Sequence, residues 1–465
     1  MNELPVGVAP KLRVRERVVF HADTVSARWI GACALLSAVC WLVGLLVHEH
    51  RHANWHAAGG LAWSLTVFAA VALIARGVFL GRPVTALHAT AALAALLAGL
   101  GAHLLSLDVA GNVLIAGSGL ALMWPTSARP DPGQRQRIWS LITISRNDPL
   151  APFAMQALKS YHFSADGRAA LAFRTRLGYA VVSGDPIGDE TRFPAVIDDF
   201  AAMCRSRGWR IAVLGCSQRR LGLWADPATL GQSLRAVPIG RDVIVDIPRF
   251  TMAGRTFRNL RQAVQRTHNC GITTEIVAEQ ELDERLRAEL VEVLLASSKG
   301  AHTERGFSMI LDGTLEGCYP GIQLIVARDR AGQVQAFHRY AVAGGGSDIS
   351  LDVPWRRRGA PNGIDERLSV DMINAAKALG AQRLSLAFAA FPEIFDDDRR
   401  GRVQSLFYRA IHLGDSLVAL ESLYRYLRKF HALGDRRYVL LSMTQLLPLL
   451  IVLLSFEFMP RRRRL

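Results

Sequence analysis

Long uncharged runs separated by short charged connections fill the first 126 residues. Residues 29–47, 57–75 and 84–107 hold no acid, lysine or arginine, and residues 109–125 form a weaker fourth run with one asparagine and three glycines. A helix of 19 residues is about 28 Å long, which matches the hydrocarbon core of a bilayer. Because these runs follow one another closely, the pattern predicts a transmembrane bundle in residues 1–126 rather than buried helices of a soluble core.

Basic residues are unevenly distributed among the connections. They cluster before the first run, between the second and third, and after the fourth, at Lys11, Arg13, Arg15, Arg17, Arg76, Arg82, Arg129, Arg135 and Arg137. Four spans place all of these clusters on the cytoplasmic side, as the positive-inside rule requires, whereas three spans would export the rest of the chain. We therefore expect about four transmembrane helices in the cell membrane, with the catalytic region in the cytoplasm.

The pattern changes after residue 140 to short β-rich runs that alternate with helical ones. Helical spacing marks residues 193–207, 281–297 and 364–379, and the β-rich runs are residues 169–176, 178–183, 210–215, 323–328, 334–342, 347–353 and 383–388. The order of helix, antiparallel strands, helix and strand occurs twice, which predicts a tandem mixed α/β architecture. The predicted parts are a linker (127–139), a first unit with a basic linking helix (140–270), a second unit (271–445) and an apolar helix with a basic tail (446–465).

Composition narrows the classes of partner. The chain has 55 basic and 40 acidic residues, a net charge of +15, and only five of the basic residues are lysine. Arginine binds phosphate bidentately and keeps its charge, so acidic polymers or anionic lipids are the expected partners. The six cysteines form no CxxC pair, which argues against a zinc site and against a disulfide framework. We expect neither a metal nor a cofactor.

A basic ridge lies on the segment between the two predicted units. Phe257, Leu260 and Val264 form one apolar stripe at helical spacing. A different face carries Arg255, Arg258, Gln262 and Arg266. No acid occurs between residues 255 and 268, whereas solvated helices usually alternate charge, so a phosphate-binding ridge and an ordinary solvated face both remain open.

The segment SDISLDVPWRRRGAPNGIDERL, residues 347–368, is a second candidate site. An extended strand places Asp348, Ser350 and Asp352 on one face. An arginine-rich loop with glycine then leads into a helix N-terminus, where free N–H groups and positive charge suit a phosphate. GNAT acyltransferases hold the pyrophosphate of acetyl-CoA at this place with an R/QxxGxG/A loop, but Pro361 lacks the N–H of the third small position. We infer a GNAT-like shape with a donor other than acetyl-CoA.

Several motifs resemble the C-terminal catalytic domain of the multiple peptide resistance factor family, which comprises the lysyl- and alanyl-phosphatidylglycerol synthases. In chain order the motifs are SRNDPLAPFAMQALKSYHFSADGRAALAFRTRLGYAVVSGDPIGD, RFTMAGRTFRNLRQAVQRT, ERGFSMILDG, LDVPWRRRGAPNG and LYRYLRKF. They extend over about residues 139–445, and their shared order is more specific than any one motif. The form fused to a lysyl-tRNA synthetase is the most similar.

This resemblance implies a tandem GNAT-type fold that transfers an aminoacyl group from charged tRNA to the glycerol hydroxyl of phosphatidylglycerol at the membrane. Lysine is the main expectation for the amino acid. The implied catalytic carboxylates, near the aminoacyl ammonium, are Asp352, Glu366 and Glu304. A structural ion pair with an arginine of the loop 356–358 is the alternative for each of them. The implied substrate-binding residues are Arg258, Arg261, Arg356, Asn362, Gly363, Arg425 and Lys429. The resemblance also marks Asp148, Lys159, Tyr161, Gly184, Asp185 and Arg437.

Two positions beside the implied aminoacyl pocket depart from the family pattern. Ala387 replaces the asparagine of the family's SLNFA run, and Leu427 replaces the asparagine of LYRxNxKF. The alternatives are therefore a GNAT-like transferase with another lipid or peptide acceptor, and a silent membrane-bound binder of acidic lipid or tRNA. His302 and His338 are candidate bases or structural residues. Asp312 is assigned to a loop, where Asp312→Asn is expected to be nearly silent.

The last apolar run, QLLPLLIVLLSFEF, covers residues 445–458 and is followed by Arg461, Arg462, Arg463 and Arg464. Pro448 and Glu457 disfavour a fifth span. An interfacial or docked helix, whose arginines contact anionic headgroups, is the main prediction, and a core helix is the alternative.

The charge distribution makes a prediction about topology. A reporter fused after Arg137 should be active in its cytoplasmic form and inactive in its exported form, because every basic cluster lies on the cytoplasmic side when four spans are counted. Paired cytoplasmic and periplasmic reporters at this position measure the orientation. Activity of the exported reporter alone would overturn the four-span topology.

Overall fold

The computed structural model describes residues 18–20, 24–52, 58–297, 303–304, 310–390, 426–458 and 461–462. The helices of this part of the chain are α1 (Val25–His52), α2 (Ala58–Phe79), α3 (Ala86–Leu104), α4 (Asp108–Leu122), α5 (Arg135–Ile144), α6 (Phe193–Ser206), α7 (Pro227–Leu230), α8 (Arg258–Asn269), α9 (Glu284–Ala296), α10 (Ile364–Ala378) and α11 (Leu446–Phe458).

The strands of the same part are β1 (Val18–Phe20), β2 (Val84–Thr85), β3 (Ser160–Phe163), β4 (Ala169–Arg176), β5 (Tyr179–Ser183), β6 (Ile187–Gly188), β7 (Arg210–Ser217), β8 (Arg235–Asp246), β9 (Thr273–Ala278), β10 (Thr303–Glu304), β11 (Ile322–Arg328), β12 (Val334–Ala343), β13 (Asp348–Arg356), β14 (Arg383–Ala390), β15 (Leu433–Leu441) and β16 (Arg461–Arg462).

Four apolar helices form the N-terminal region. Within the described residues, α1, α2 and α3 are long and apolar enough to cross a membrane. Helix α4 has 15 residues, about 22 Å, so it is shorter than the hydrocarbon core that the fourth predicted span would need to cross. It packs closely against α2, because a Cβ on Gly119 would lie 2.5 Å from the carbonyl oxygen of Ala70. The structure thus has four helices here, three of them of spanning length.

Twelve strands form one continuous sheet in the described part of the soluble region. Their order is β3-β4-β5-β7-β15-β8-β14-β13-β12-β11-β9, and β6 pairs with β4 beside this path. The pairs β5–β7 and β13–β14 are parallel, and the helices α6 and α10 make the two crossovers. Such crossovers bury a helix on the sheet, so each parallel pair has its own helical layer.

The two halves of the soluble region exchange strands at the centre of this sheet. Strand β8, which precedes the basic helix α8, pairs with β14 of the second half. Strand β15, near the end of the chain, pairs with β7 of the first half and with β8. Each half therefore depends on a strand from the other half to complete its sheet.

Helix α5 joins the two halves on one face of the sheet. Ile138, Leu141 and Ile142 are buried in a cluster that includes Tyr161 of β3 and Ala341 of β12. Their i, i+3 and i+4 spacing gives the helix one apolar face. The helix begins at Arg135, inside the segment that the sequence predicts to be a linker (127–139).

Candidate active site

Strands β8, β13 and β14 carry apolar side chains on one face and several buried polar side chains on the other. Val243 and Val245 of β8, Leu384 and Leu386 of β14, and Ile349 and Leu351 of β13 pack beneath α8 and α10. Side chains alternate along a strand, so the polar residues next to these apolar ones point to the opposite face. The polar residues are Asp242, Ser350, Asp352 and Ser385. With Asp148, Asp185, Arg437, Arg339 and Glu279, which contact them or each other, they form what we call the polar band.

Arg437 of β15 lies at the centre of one half of the polar band. Its Nε donates to Asp242 Oδ2 at 2.7 Å, and its Nη1 donates to Asp185 Oδ2 at 3.4 Å and to the Gly215 carbonyl at 3.1 Å. Its Nη2 lies 3.8 Å from Asp148 Oδ1. Burial, reinforced by the charge of Asp185, raises the pKa of Asp148 to about 6 although Arg437 opposes the shift.

Arg339 of β12 holds the other half of the polar band. Its Nη1 donates to Asp352 Oδ2 and its Nη2 to Glu279 Oε2, both at 2.8 Å, and all three side chains are fully buried. Asp352 Oδ1 also accepts the Leu311 N–H at 2.8 Å. Burial raises the pKa of Asp352 to about 6 against the opposing charge of Arg339. Asp352 is therefore part of a buried ion pair, with Arg339 rather than with the arginines of the loop.

The strands β13 and β14 separate in the middle of the polar band. Their parallel pairing covers only three positions and ends where Ser350 lies opposite Ser385. Both hydroxyl oxygens are buried without a hydrogen-bond partner among the described residues, as are Asp242 Oδ1 and Ser217 Oγ. Buried polar atoms are nearly always satisfied by protein, water or ligand. This fork is thus a buried site with spare hydrogen-bonding capacity.

A small cavity continues the polar band into the first half of the soluble region. Asp148, Ser183, Gly184, Asp185 and Gly215 are among the residues that line it. Lys159 is buried beside it and donates from Nζ to Ser183 Oγ at 2.8 Å and to the Phe153 carbonyl at 2.7 Å. The family-marked residues of this half therefore lie together.

The arginine-rich loop and the helix that follows it lie on the other face of the sheet. Gly363 caps α10 with φ of 101°, and a Cβ there would lie 2.6 Å from the Ala263 carbonyl of α8. Only glycine permits this close approach of α8 and α10. Arg356 Nη1 lies 3.3 Å from Asp365 Oδ2, and Asn362 is exposed.

The predicted carboxylates do not all come together. Glu366 of α10 is buried and accepts from Lys429, on the face opposite Asp352. Glu304 lies in β10, which pairs with β16, and Arg425 and His302 lie outside the described residues. The roles assigned to Asp352, Glu366 and Glu304 stay predictions.

Two other sequence expectations have a structural outcome. His338 is fully buried, with Nε2 at 3.2 Å from Asp365 Oδ1 and Nδ1 at 3.3 Å from the Tyr340 hydroxyl, so it is held in a polar core network. Asp312 lies in a loop, as predicted, but it is buried, accepts from Tyr319 and accepts the Ala157 N–H at 3.3 Å. These contacts are a structural reason for Asp312→Asn to have an effect, and the expectation that it is nearly silent stays a prediction.

The predicted basic ridge is exposed on α8 and on the turn that precedes it. Arg255, Arg258 and Arg266 are exposed, and they make no ion pair with any residue in the described part of the chain. Arg261 has a different role, because its Nη1 donates to the carbonyls of Met252 and Gly254 and closes the loop before the helix. The ridge thus offers three free guanidinium groups to solvent.

The central residues missed by sequence reasoning are Arg339, Glu279 and Asp242. Arg339 is the one arginine of β12, a strand whose burial is nearly complete, and that contrast is the available signal, because a buried arginine requires acidic partners. Asp242 and Glu279 offer no local signal, because strand exchange and a distant loop bring them to their partners.

Comparisons with known proteins agree with this geometry. Residues 139–441 match the family of the phosphatidylglycerol lysyltransferase C-terminal region. An MprF-like domain protein of Mycobacterium tuberculosis is 68% identical over 458 residues, which are 98% of this chain and 95% of that protein. The lysylphosphatidylglycerol biosynthesis bifunctional protein LysX of Mycobacterium avium is 30% identical over 65% of this chain, and the match spans only 25% of LysX.

Two solved structures share the fold of the soluble region. The L-PGS structure of Bacillus licheniformis has a TM-score of 0.57 and 21% identity, covering 70% of this chain and 96% of that one. The C-terminal domain assigned to a lysylphosphatidylglycerol synthetase of Agrobacterium fabrum has a TM-score of 0.59 and 20% identity, covering 72% of this chain and 100% of that one. The predicted tandem GNAT-like fold is confirmed.

The buried Arg339 pairs make a prediction about stability. Glu279→Gln should lower the midpoint temperature of thermal unfolding by roughly 5–10 °C, because breaking one partner of a buried ion pair costs about 3 kcal/mol. Glu292→Gln removes the same charge from the exposed Glu292–Arg357 pair and should change the midpoint by less than about 2 °C. Tryptophan fluorescence in detergent solution measures both. Equal midpoints for the two variants would show that Arg339 does not depend on Glu279.

Proposed function

The chain belongs to the phosphatidylglycerol lysyltransferase C-terminal family, and we propose that it transfers lysine from charged tRNA to the glycerol hydroxyl of phosphatidylglycerol. As a family member it is an aminoacyltransferase of the lysylphosphatidylglycerol synthetase type, and its apolar N-terminal helices make it a membrane protein. The donor, the acceptor and the cytoplasmic position of the catalytic region are parts of the proposal.

The charge of the polar band is the observation that carries the proposal. The band holds five carboxylates and two guanidinium groups. When Lys159 and Arg219, which acts on Asp148, are counted as well, the site still has one more carboxylate than cations. A buried excess of carboxylate is costly unless a cation enters, and an aminoacyl group brings an ammonium. Lysine brings a second ammonium on its side chain. The spare hydroxyls of Ser350 and Ser385 supply neutral hydrogen bonds at the fork.

The reaction needs positioning more than activation. The hydroxyl oxygen of the lipid attacks the ester carbonyl carbon, the bond to the tRNA ribose oxygen breaks, and the hydroxyl proton ends on that ribose oxygen. The ester is already activated, so neither a covalent intermediate nor a redox or metal cofactor is required. The protein must hold the two reactants together, pass the proton and stabilise the oxyanion.

The surface charge fits a nucleic acid on the opposite face. The exposed Arg258 and Arg266 lie on α8 and the exposed Arg255 just before it, and α8 contacts the N-terminus of α10 where Ala263 approaches Gly363. Phosphates bind such clusters of arginine and free N–H groups. We therefore place the tRNA backbone on α8 and its aminoacyl end in the polar band at the fork, where β13 and β14 separate.

A transfer assay tests the proposal. Purified protein in phosphatidylglycerol vesicles should transfer radiolabelled lysine from charged tRNA and should not use acetyl-CoA as a donor. Asp352→Asn should reduce the rate on the order of 10²-fold if this carboxylate contacts the aminoacyl group. Glu279→Gln is the matched control, because it breaks the same Arg339 network without reaching the fork.

The outcomes of this assay separate two claims. Absence of transfer by the folded parent protein would contradict the proposed function. Equal losses in Asp352→Asn and Glu279→Gln would instead show that Asp352 only pairs with Arg339 and that the aminoacyl group binds elsewhere.

The exposed ridge makes a prediction about tRNA binding. Replacing Arg255, Arg258 and Arg266 with glutamine should weaken tRNA binding and reduce the slope of log K against log salt by about two to three units, because each phosphate contact adds roughly 0.9 or less to that slope. The control replaces Arg168, Arg192 and Arg285, exposed arginines that pair with acids elsewhere, and makes the same change in net charge. Identical salt slopes for both variants would return α8 to an ordinary solvated helix.

A further inference from the structure

Helix α11 covers part of the sheet with only one of its sides. Leu449, Val452 and Phe456 are buried. They pack on a cluster that includes Tyr179 and Val181 of β5, Ala212 and Leu214 of β7, and Val439 and Leu441 of β15. The predicted docked helix is therefore present, and its docking site is the sheet of the first half.

The opposite side of α11 is an exposed apolar surface. Leu447, Leu450, Ile451 and Leu454 are 72%, 45%, 57% and 46% exposed. No charged residue interrupts the helix before Glu457, and 13 residues, about 20 Å, are too few to cross a bilayer. A contiguous apolar surface of this kind marks a binding surface on a folded protein.

The membrane helices approach the same region of the sheet. A Cβ on Gly178, the residue before β5, would lie 3.4 Å from Pro125 and 3.5 Å from Arg82. Pro125 follows α4, and Arg82 lies in the connection between α2 and α3. Tyr179, which α11 covers, lies within the electrostatic reach of Arg76 and Arg82. The surface covered by α11 is thus continuous with the membrane-proximal end of the bundle.

Arginines surround this surface. The Arg174 guanidinium lies 4.5 Å from the centre of the Phe456 ring, and burial together with the charge of Arg176 lowers the pKa of Arg174. Arg210 is close enough to Tyr179 to oppose the rise of its phenol pKa. Anionic headgroups complement such a basic rim, whereas a second protein would need an acidic surface of its own.

Helix α11 also borders the polar band. Leu214 packs in the same cluster as α11 and lines the cavity that holds Asp148 and Asp185. Val439, beneath α11, lies two residues from Arg437 on β15. Beyond the helix, β16 pairs with β10, so Arg461 lies opposite Glu304. The helix therefore lies between the membrane side of the molecule and the polar band, and the strand after it pairs with the strand that holds Glu304.

We propose that the exposed side of α11 lies in the headgroup region of the bilayer and that α11 forms the membrane-side wall through which the acceptor lipid reaches the polar band. The occupant of the exposed side is lipid, because the surface is apolar, basic at its rim and continuous with the membrane helices. The second half of this proposal rests on the proposed function, whereas lipid contact does not.

Photo-crosslinking tests the lipid contact directly. The full chain in bilayers of phosphatidylglycerol and phosphatidylcholine carries a photoreactive amino acid in place of Leu450 or Ile451. Leu379, which is 80% exposed at the end of α10, and Leu449, which is buried against the sheet, are the control positions. Lipid adducts should form at positions 450 and 451 and be at least several-fold fewer at both controls. If the folded protein forms no lipid adducts at 450 and 451, or no more than at the control positions, the proposal is overturned.

A second measurement tests the role of α11 as a wall. Leu450→Gln with Leu454→Gln should reduce transfer to phosphatidylglycerol in bilayers about tenfold, because apolar area on this side holds the helix at the interface. Transfer to a short-chain, monomeric phosphatidylglycerol should be unchanged. Equal losses of transfer rate with both lipids would contradict the role of α11 as a wall for the acceptor lipid. Failure of the parent to transfer to either lipid would contradict the proposed function and leave the crosslinking result to decide the lipid contact.

Discussion

Arg437, which the second half of the soluble region supplies, is shared by three buried carboxylates of the first half. Asp148 and Asp185 belong to the first half, Asp242 lies on the exchanged strand β8, and Arg437 lies on the exchanged strand β15. A buried arginine without its acids would cost several kcal/mol, and so would three buried acids without the arginine. Formation of this cluster and exchange of the two central strands therefore depend on each other. We call this cluster, with the two exchanged strands, the junction, and the continuous sheet depends on it.

The junction also determines the electrostatics of the molecule. Three carboxylates share one guanidinium, and burial together with the charge of Asp185 raises the pKa of Asp148 to about 6 against Arg437 and Arg219. An added cation would therefore stabilise the cluster. Arg339 repeats the arrangement with Asp352 and Glu279 on the same face of the sheet. The opposite face carries the exposed arginines of α8. A buried acidic site behind a basic surface suits a substrate that is cationic at its reactive end and polyanionic elsewhere, which describes an aminoacyl-tRNA.

Local patterning predicted the elements that form within one half. Strand β4 was predicted with its observed bounds, and α6, β7, α9, β11, β12, β13, α10 and β14 lie within three residues of their predicted bounds. Strands β8 and β15 were missed for two reasons. Pro238 and Gly240 interrupt the alternation of apolar and polar residues in β8, and charged residues interrupt it in β15. The partners of both strands are also far away in the chain. The resemblance to a known family led to Asp352 and Arg437, but their partners Glu279 and Asp242 depend on non-local packing that no local pattern encodes.

Lipid composition of cells measures the central claim most directly. Lipid extracts from cells that produce the full chain should contain a phosphatidylglycerol species heavier by one lysyl group, which mass spectrometry resolves, and extracts from cells without it should lack that species. Identical lipid profiles in the two extracts, with the folded protein present in the membrane fraction, would contradict an aminoacyl transfer to phosphatidylglycerol in the polar band.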